Sequence, residues 1–165
     1  MEPIKRIFSF SSIIWDMYDY SCGLFTPTGD MIAQANTIPA QLGIMSTAIR
    51  YMFREYPLDT WRPGDVLVCN DPYLGCTHTM DITLFSPVFH DGEIVAITST
   101  IAHHMDIGGR LPGSGGPDNE EIFAEGIILP PLKLISELVY LILIFLDSRF
   151  QLPRAKLYII ANPTD

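Results

Sequence analysis

The 165-residue chain is 48% apolar and 18% charged, enough for a single domain that buries about two thirds of its unfolded surface, and too apolar for disorder over most of its length. A formal net charge of −9, with no basic patch to offset it, excludes nucleic acid and anionic membrane surfaces as natural partners. Three cysteines (Cys22, Cys69 and Cys76) without CxxC spacing speak against a disulfide framework or zinc ribbon and fit a reducing, cytoplasmic setting.

Along the chain, Lys5 and Arg6 precede an apolar stretch, 7–15, that loosely imitates a secretory leader. Serines interrupt it and no small-residue cleavage site follows, so it reads as mature chain. Residues 21–25 and 31–36 are β-prone runs around Thr26-Pro27-Thr28-Gly29-Asp30, where Pro sets φ and Gly supplies a positive φ; they read as a hairpin. Ser46 is expected to cap a helix with Ile49, Met52, Phe53 and Tyr56 on one face, and Pro57 marks its end. Residues 65–69 read as a buried strand. Two further strand-like runs, 82–89 and 93–102, flank His90-Asp91-Gly92, the strongest hairpin signal in the sequence.

Residues 106–119 hold five glycines and two prolines, too long and too irregular for a mere connection, and read as a lid or Ω-loop. The run 138–146 is strongly apolar, but nine residues cannot span a hydrocarbon core that needs about 20, so it reads as a buried helix or strand. Antiparallel strands with a few helices make this an α+β domain.

The chemistry-bearing residues fall in two short stretches. Asn70-Asp71-Pro72-Tyr73-Leu74-Gly75-Cys76-Thr77-His78-Thr79-Met80-Asp81 is followed, after the hairpin, by His103-His104-Met105-Asp106, so three of the four histidines gather there. His78 and Asp81 converge only if the backbone bends between them, and Gly75 just upstream makes a bend plausible. Pairing the strands across Asp91-Gly92 returns Asp81 to the level of residues 101–103. Two imidazoles and a carboxylate with open positions are the ligand set of a hydrolytic or Lewis-acid ion, of a kind that suits zinc, manganese or iron. The competing structural reading, satisfied core or turn histidines, is the weaker one for such a cluster.

Only one of His103 and His104 can be a ligand, since neighbours on a strand face opposite ways. Asp71 is balanced between a turn cap and a role in binding substrate or supporting the ligands. With His104 and Asp106 it completes the candidate catalytic group around the metal. The glycine-rich loop lacks the GK[ST] of a phosphate loop, Ser114 has no spaced His and Asp, and Cys76 beside His78 is a minor candidate for a nucleophile.

In order and spacing, Met17-Tyr18-Asp19-Tyr20-Ser21-Cys22-Gly23-Leu24-Phe25, Ile38-Pro39 with Leu42-Gly43, Gly64-Asp65-Val66, the 70–81 stretch, residues 102–109 and Pro130-Pro131-Leu132-Lys133-Leu134 resemble the hydantoinase B and oxoprolinase family. The resemblance implies a divalent metal ion held by His78, Asp81 and His103. It also implies a hetero-oligomer with a hydantoinase A-type partner that binds ATP and activates the carbonyl of a small cyclic amide, whose ring the B part then opens. A carboxylase role of the acetone carboxylase type is the runner-up within the family. A non-catalytic remnant that binds metal or partner without turnover is the rival outside it.

Three departures stand against this pattern. Thr37 and Gln41 occupy positions near which the family usually has histidines, Cys76 stands where glycine is usual, and the pattern fades after Leu134. Residues 1–134 therefore read as the family-like N-terminal region. Residues 135–165 read as a divergent apolar tail, truncated or frameshifted.

Hairpin register decides between the histidines. A two-residue loop at Asp91-Gly92 pairs Asp81 with Ala102 and puts His104 on its face. A three-residue loop pairs Asp81 with Ile101 and puts His103 there instead. The resemblance favours His103, so a three-residue loop is expected, or a bulge near Pro87 with the same effect. His104 then lies outside the ligand set or in the opposite core.

Overall fold

The computed structural model describes residues 11–136 and the backbone of 139–140. The leader-like stretch up to residue 10 and most of the apolar 138–146 run lie outside the described residues. Of that run, only the short strand Val139–Tyr140 is seen.

Among the described residues, seven antiparallel strands form one sheet: β1 (Tyr20–Phe25), β2 (Met31–Gln34), β3 (Val66–Cys69), β4 (Asp81–His90), β5 (Glu93–His103), β6 (Leu132–Ser136) and β7 (Val139–Tyr140). Their order across the sheet is β2-β1-β5-β4-β3-β6-β7. A single turn of helix, α1 (Ser12–Trp15), precedes β1, and the long helix α2 (Pro39–Glu55) packs on one face. The result is the expected α+β domain, and no helix among the described residues is long and apolar enough to cross a membrane.

Helix α2 starts seven residues before Ser46, which is therefore an interior residue and not its cap. Pro39 fixes φ at the first turn, where its missing N–H goes unfelt, and Ile38 supplies the extended entry. Its buried residues (Gln41, Leu42, Met45, Ala48, Ile49 and Met52) recur at helical spacing. The apolar ones meet Phe25, Leu67, Phe85, Ile97 and Ile101 from alternate positions of four strands, with Phe53 and Tyr56 packed at the margin. Each fully buried Met or Ile contributes about 1.5–3 kcal/mol. The helix ends as expected, at Glu55 before Pro57, and Trp61 beyond it donates its indole N–H to the Tyr56 carbonyl at 2.9 Å.

The central hairpin corrects the expected loop. His90 pairs with Glu93, so the connection is the two-residue Asp91-Gly92, and both residues have positive φ (50° and 86°), as a tight primed turn requires. The register then shifts between Val88 and Phe89, because Phe89 pairs with Ile94 and Val88 with Ala96, leaving Val95 as the extra residue of a bulge. From there down the ladder runs unbroken, and Asp81 lies directly opposite His103. The bulge alternative is thus the one that forms, and it sets Asp81 two residues further along β5 than the three-residue loop would have, on the same face.

Candidate metal centre

The sheet brings three chain-distant segments to one end of its helix-covered face. Asp81 opens β4 and His103 closes β5. Tyr20 of β1 pairs with Ala102 of β5, and the His103 N–H donates to the Asp19 carbonyl at 3.0 Å, which sets Asp19 on the other side of His103. His78 arrives from the turn before β4, closed by the Asp81 N–H on the His78 carbonyl at 3.1 Å. The bend expected at Gly75 is present: its φ is +92°, and a Cβ there would come within 3.0 Å of the Ala48 backbone nitrogen, so loop and helix can meet only at glycine.

One donor atom each of His78, Asp81 and His103 lie within 4.8 Å of one another. His103 Nδ1 is 3.2 Å from Asp81 Oδ1 and 3.7 Å from Asp19 Oδ2, and His78 Nε2 is 3.6 Å from Asp81 Oδ2. The two imidazoles meet edge to face with centroids 4.9 Å apart. Asp81 is only 3% exposed, and the Thr77 hydroxyl donates to its Oδ2. His78 Nδ1 is buried without a hydrogen-bond partner. Two imidazole nitrogens, a buried carboxylate and a second carboxylate alongside fit a divalent cation, whose charge compensates acids gathered this closely.

The other expected residues sit around this set. His104 follows β5, is exposed, and donates its backbone N–H to the Met80 carbonyl at 2.8 Å. Its imidazolium is disfavoured, first by partial loss of solvent around the ring and then by the adjoining His103, against a pull from Asp81. Asp71 caps the 3-10 turn Pro72–Leu74, its Oδ1 accepting the Tyr73 N–H at 2.9 Å. The Asp106 carboxylate organises the glycine-rich loop, accepting from Gly108 N–H at 2.8 Å, Gly113 N–H at 3.2 Å and the Ser114 hydroxyl at 3.1 Å. Ser114 Oγ in turn accepts from the Ile107 N–H at 2.8 Å, so that serine is fully buried and acts as loop structure.

Two residues had no assigned role in the sequence. Asp19 is one; its signal was its place inside the family-like 17–25 stretch. Asn70 is the other: fully buried, it donates to the carbonyls of Thr79 (2.6 Å) and Ile127 (2.9 Å) and so ties the ligand-bearing turn to the far end of the loop. A cleft of about 360 Å³ opens beside His78, lined among others by Tyr73, Thr77, Asn119, Glu121 and Glu125. Cys69 and Cys76 lie behind the turn with sulfurs 3.3 Å apart, and the Cys69 thiol is pushed strongly upward by its contact with Cys76 and by burial. A thiol so placed is a poor nucleophile.

Comparison with known proteins gives these motifs a lineage. The family model described as hydantoinase B/oxoprolinase matches residues 4–142. A 5-oxoprolinase of Dictyostelium discoideum is 38% identical over 129 residues, covering 78% of this chain and 10% of its own length. The caprolactamase subunit beta of Pseudomonas jessenii is 40% identical over 127 residues, 76% of this chain and 22% of that subunit. The crystal structure of the ATP-dependent caprolactamase from the same organism superposes with a TM-score of 0.70 at 37% identity, covering 74% of this chain and 21% of that one. A nucleotide-free acetone carboxylase structure superposes with a TM-score of 0.74 at 25% identity, covering 84% and 18%. The chain thus spans about a tenth to a fifth of the length of these relatives. With most of its length matched and the motifs at one end of one sheet, the chain belongs to the hydantoinase B/oxoprolinase family.

Proposed function

We propose that this chain is the metal-bearing N-terminal region of a B-type subunit that opens small cyclic amides, such as hydantoins or 5-oxoproline, together with an A-type, ATP-using partner in a hetero-oligomer. The observation that carries this reading is the convergence of His78, Asp81 and His103 within 4.8 Å, with Asp19 beside them. His78, Asp81 and His103 would hold a zinc, manganese or iron ion, and Asp19 is placed to join them. Such an ion, when bound, supplies Lewis acidity toward a carbonyl oxygen and acidity to water.

The chain's own residues do the rest. Thr77 fixes the Asp81 carboxylate, and Asn70 and Asp106 hold the two loops that frame the cleft. His104, whose imidazolium is disfavoured, is the proposed group for proton transfer, while Asp71 shapes the turn leading to His78. The three free thiols fit a cytoplasmic setting.

The carboxylase reading draws on the likeness to acetone carboxylase; identity is 25% there against 37–40% for the caprolactamase, which supports taking amide hydrolysis as the first reading. Elemental analysis of the desalted chain tests the centre: close to one divalent ion per molecule in wild type and loss in His78→Ala support it, and no ion in either refutes it. ATP and lactam hydrolysis are expected only on adding an A-type partner. ATPase activity of the clean chain alone would contradict the division of labour.

A further inference from the structure

Gln41 is the third residue of α2 and only 2% exposed, although an amide gains nothing from burial that a leucine of similar size would not gain more readily. Its Nε2 donates to Asp19 Oδ1 at 2.7 Å. The other carboxylate oxygen of Asp19 lies 3.7 Å from His103 Nδ1, which in turn is 3.2 Å from Asp81 Oδ1. Gln41 Oε1 is buried with no partner, so the side chain is not there to close a self-satisfied core network. Nearby, Thr37 Oγ1 meets Ser21 Oγ at 2.7 Å. Thr37 and Gln41 therefore both tether the approach to α2 to the start of β1.

We propose that Gln41 is a positioning residue: anchored in the first turn of α2, it holds the Asp19 carboxylate so that Oδ2 faces the His78, Asp81 and His103 set. The assignment rests on the metal reading of that set. Asp19 sits beside a left-handed residue, Tyr18 (φ 58°), at a strand entry and not within a ladder, so one side-chain bond has a large share in fixing its rotamer. A carboxylate held from behind by an amide N–H stays aimed, which is what outer hydrogen-bond partners of metal ligands do.

The test is a double-mutant cycle on the whole chain, with Zn²⁺ and Mn²⁺ as probes in competition against a chelator and melting temperature recorded alongside. Gln41→Leu should weaken binding about 10- to 100-fold, whereas in an Asp19→Ala background the same change should cost less than about threefold. Gln41→His, whose ring N–H can reach the carboxylate, should recover binding to within about threefold of wild type. Equal losses with and without Asp19, or a lowered melting temperature with unchanged metal affinity, would overturn the proposal while leaving the metal centre standing. Absence of Zn²⁺ and Mn²⁺ binding by the wild-type chain would overturn both.

Discussion

Replacing His103 with alanine removes one donor from a set in which His78, Asp81 and Asp19 remain, and leaves the strand end otherwise intact. Structural zinc sites with four ligands bind with roughly 10–16 kcal/mol, or about 2.5–4 kcal/mol per ligand. At 1.4 kcal/mol per decade, His103→Ala should therefore weaken metal binding by about two to three orders of magnitude. His104 stands outside the set, and its backbone N–H keeps the Met80 carbonyl when the side chain is cut back, so His104→Ala should fall within about tenfold of wild type. Chelator competition measures both, with circular dichroism confirming the fold of each variant. Equal losses, or a larger loss for His104→Ala, would show that the strands pair in the other parity.

Two further outcomes follow from the same geometry. Asp106→Ala releases the Gly108 and Gly113 amides and the Ser114 hydroxyl, worth about 1–3 kcal/mol locally, so hydrogen exchange across 107–114 should quicken while the β4 and β5 amides keep their protection. Alkylation of the native chain at mildly alkaline pH should label Cys22 ahead of the buried Cys69 and Cys76, and all three only after unfolding, as read by intact mass; early labelling of Cys76 would revive the nucleophile reading.

What could be read in the sequence was local. The Asp91-Gly92 turn joins adjacent strands, so the meeting of Asp81 with the His103 region followed from one short connection. Asp19 reaches the centre through β1 pairing with β5, a contact between strands far apart in the chain for which no turn residue gives notice. The exact position of the bulge was hidden for a different reason. Ile94, Val95, Ala96 and Ile97 are all apolar, so no alternation marks which of them faces the core and which is the extra residue. The helix start was missed because Ser46 is a good capping residue by type, while the true start is a proline whose fixed φ does the work without any side-chain cap.

The bulge at Val95 also gives the hairpin a parity that acts at a distance. Eight paired residues, Asp81 through Val88, separate it from the metal centre, a span of about 25 Å at the usual rise per residue. A point substitution near the tip changes no ligand and should pass unnoticed at the far end. Gain or loss of one residue there is another matter. Unless the tip absorbs it, every side chain of β5 below changes face, turning Ile97 and Ile101 out of the core and offering His104 in place of His103. Insertions and deletions in the outer half of this hairpin are therefore equivalent, for metal binding, to mutating a ligand, and the strand ends tolerate exchange of residue type far better than exchange of length.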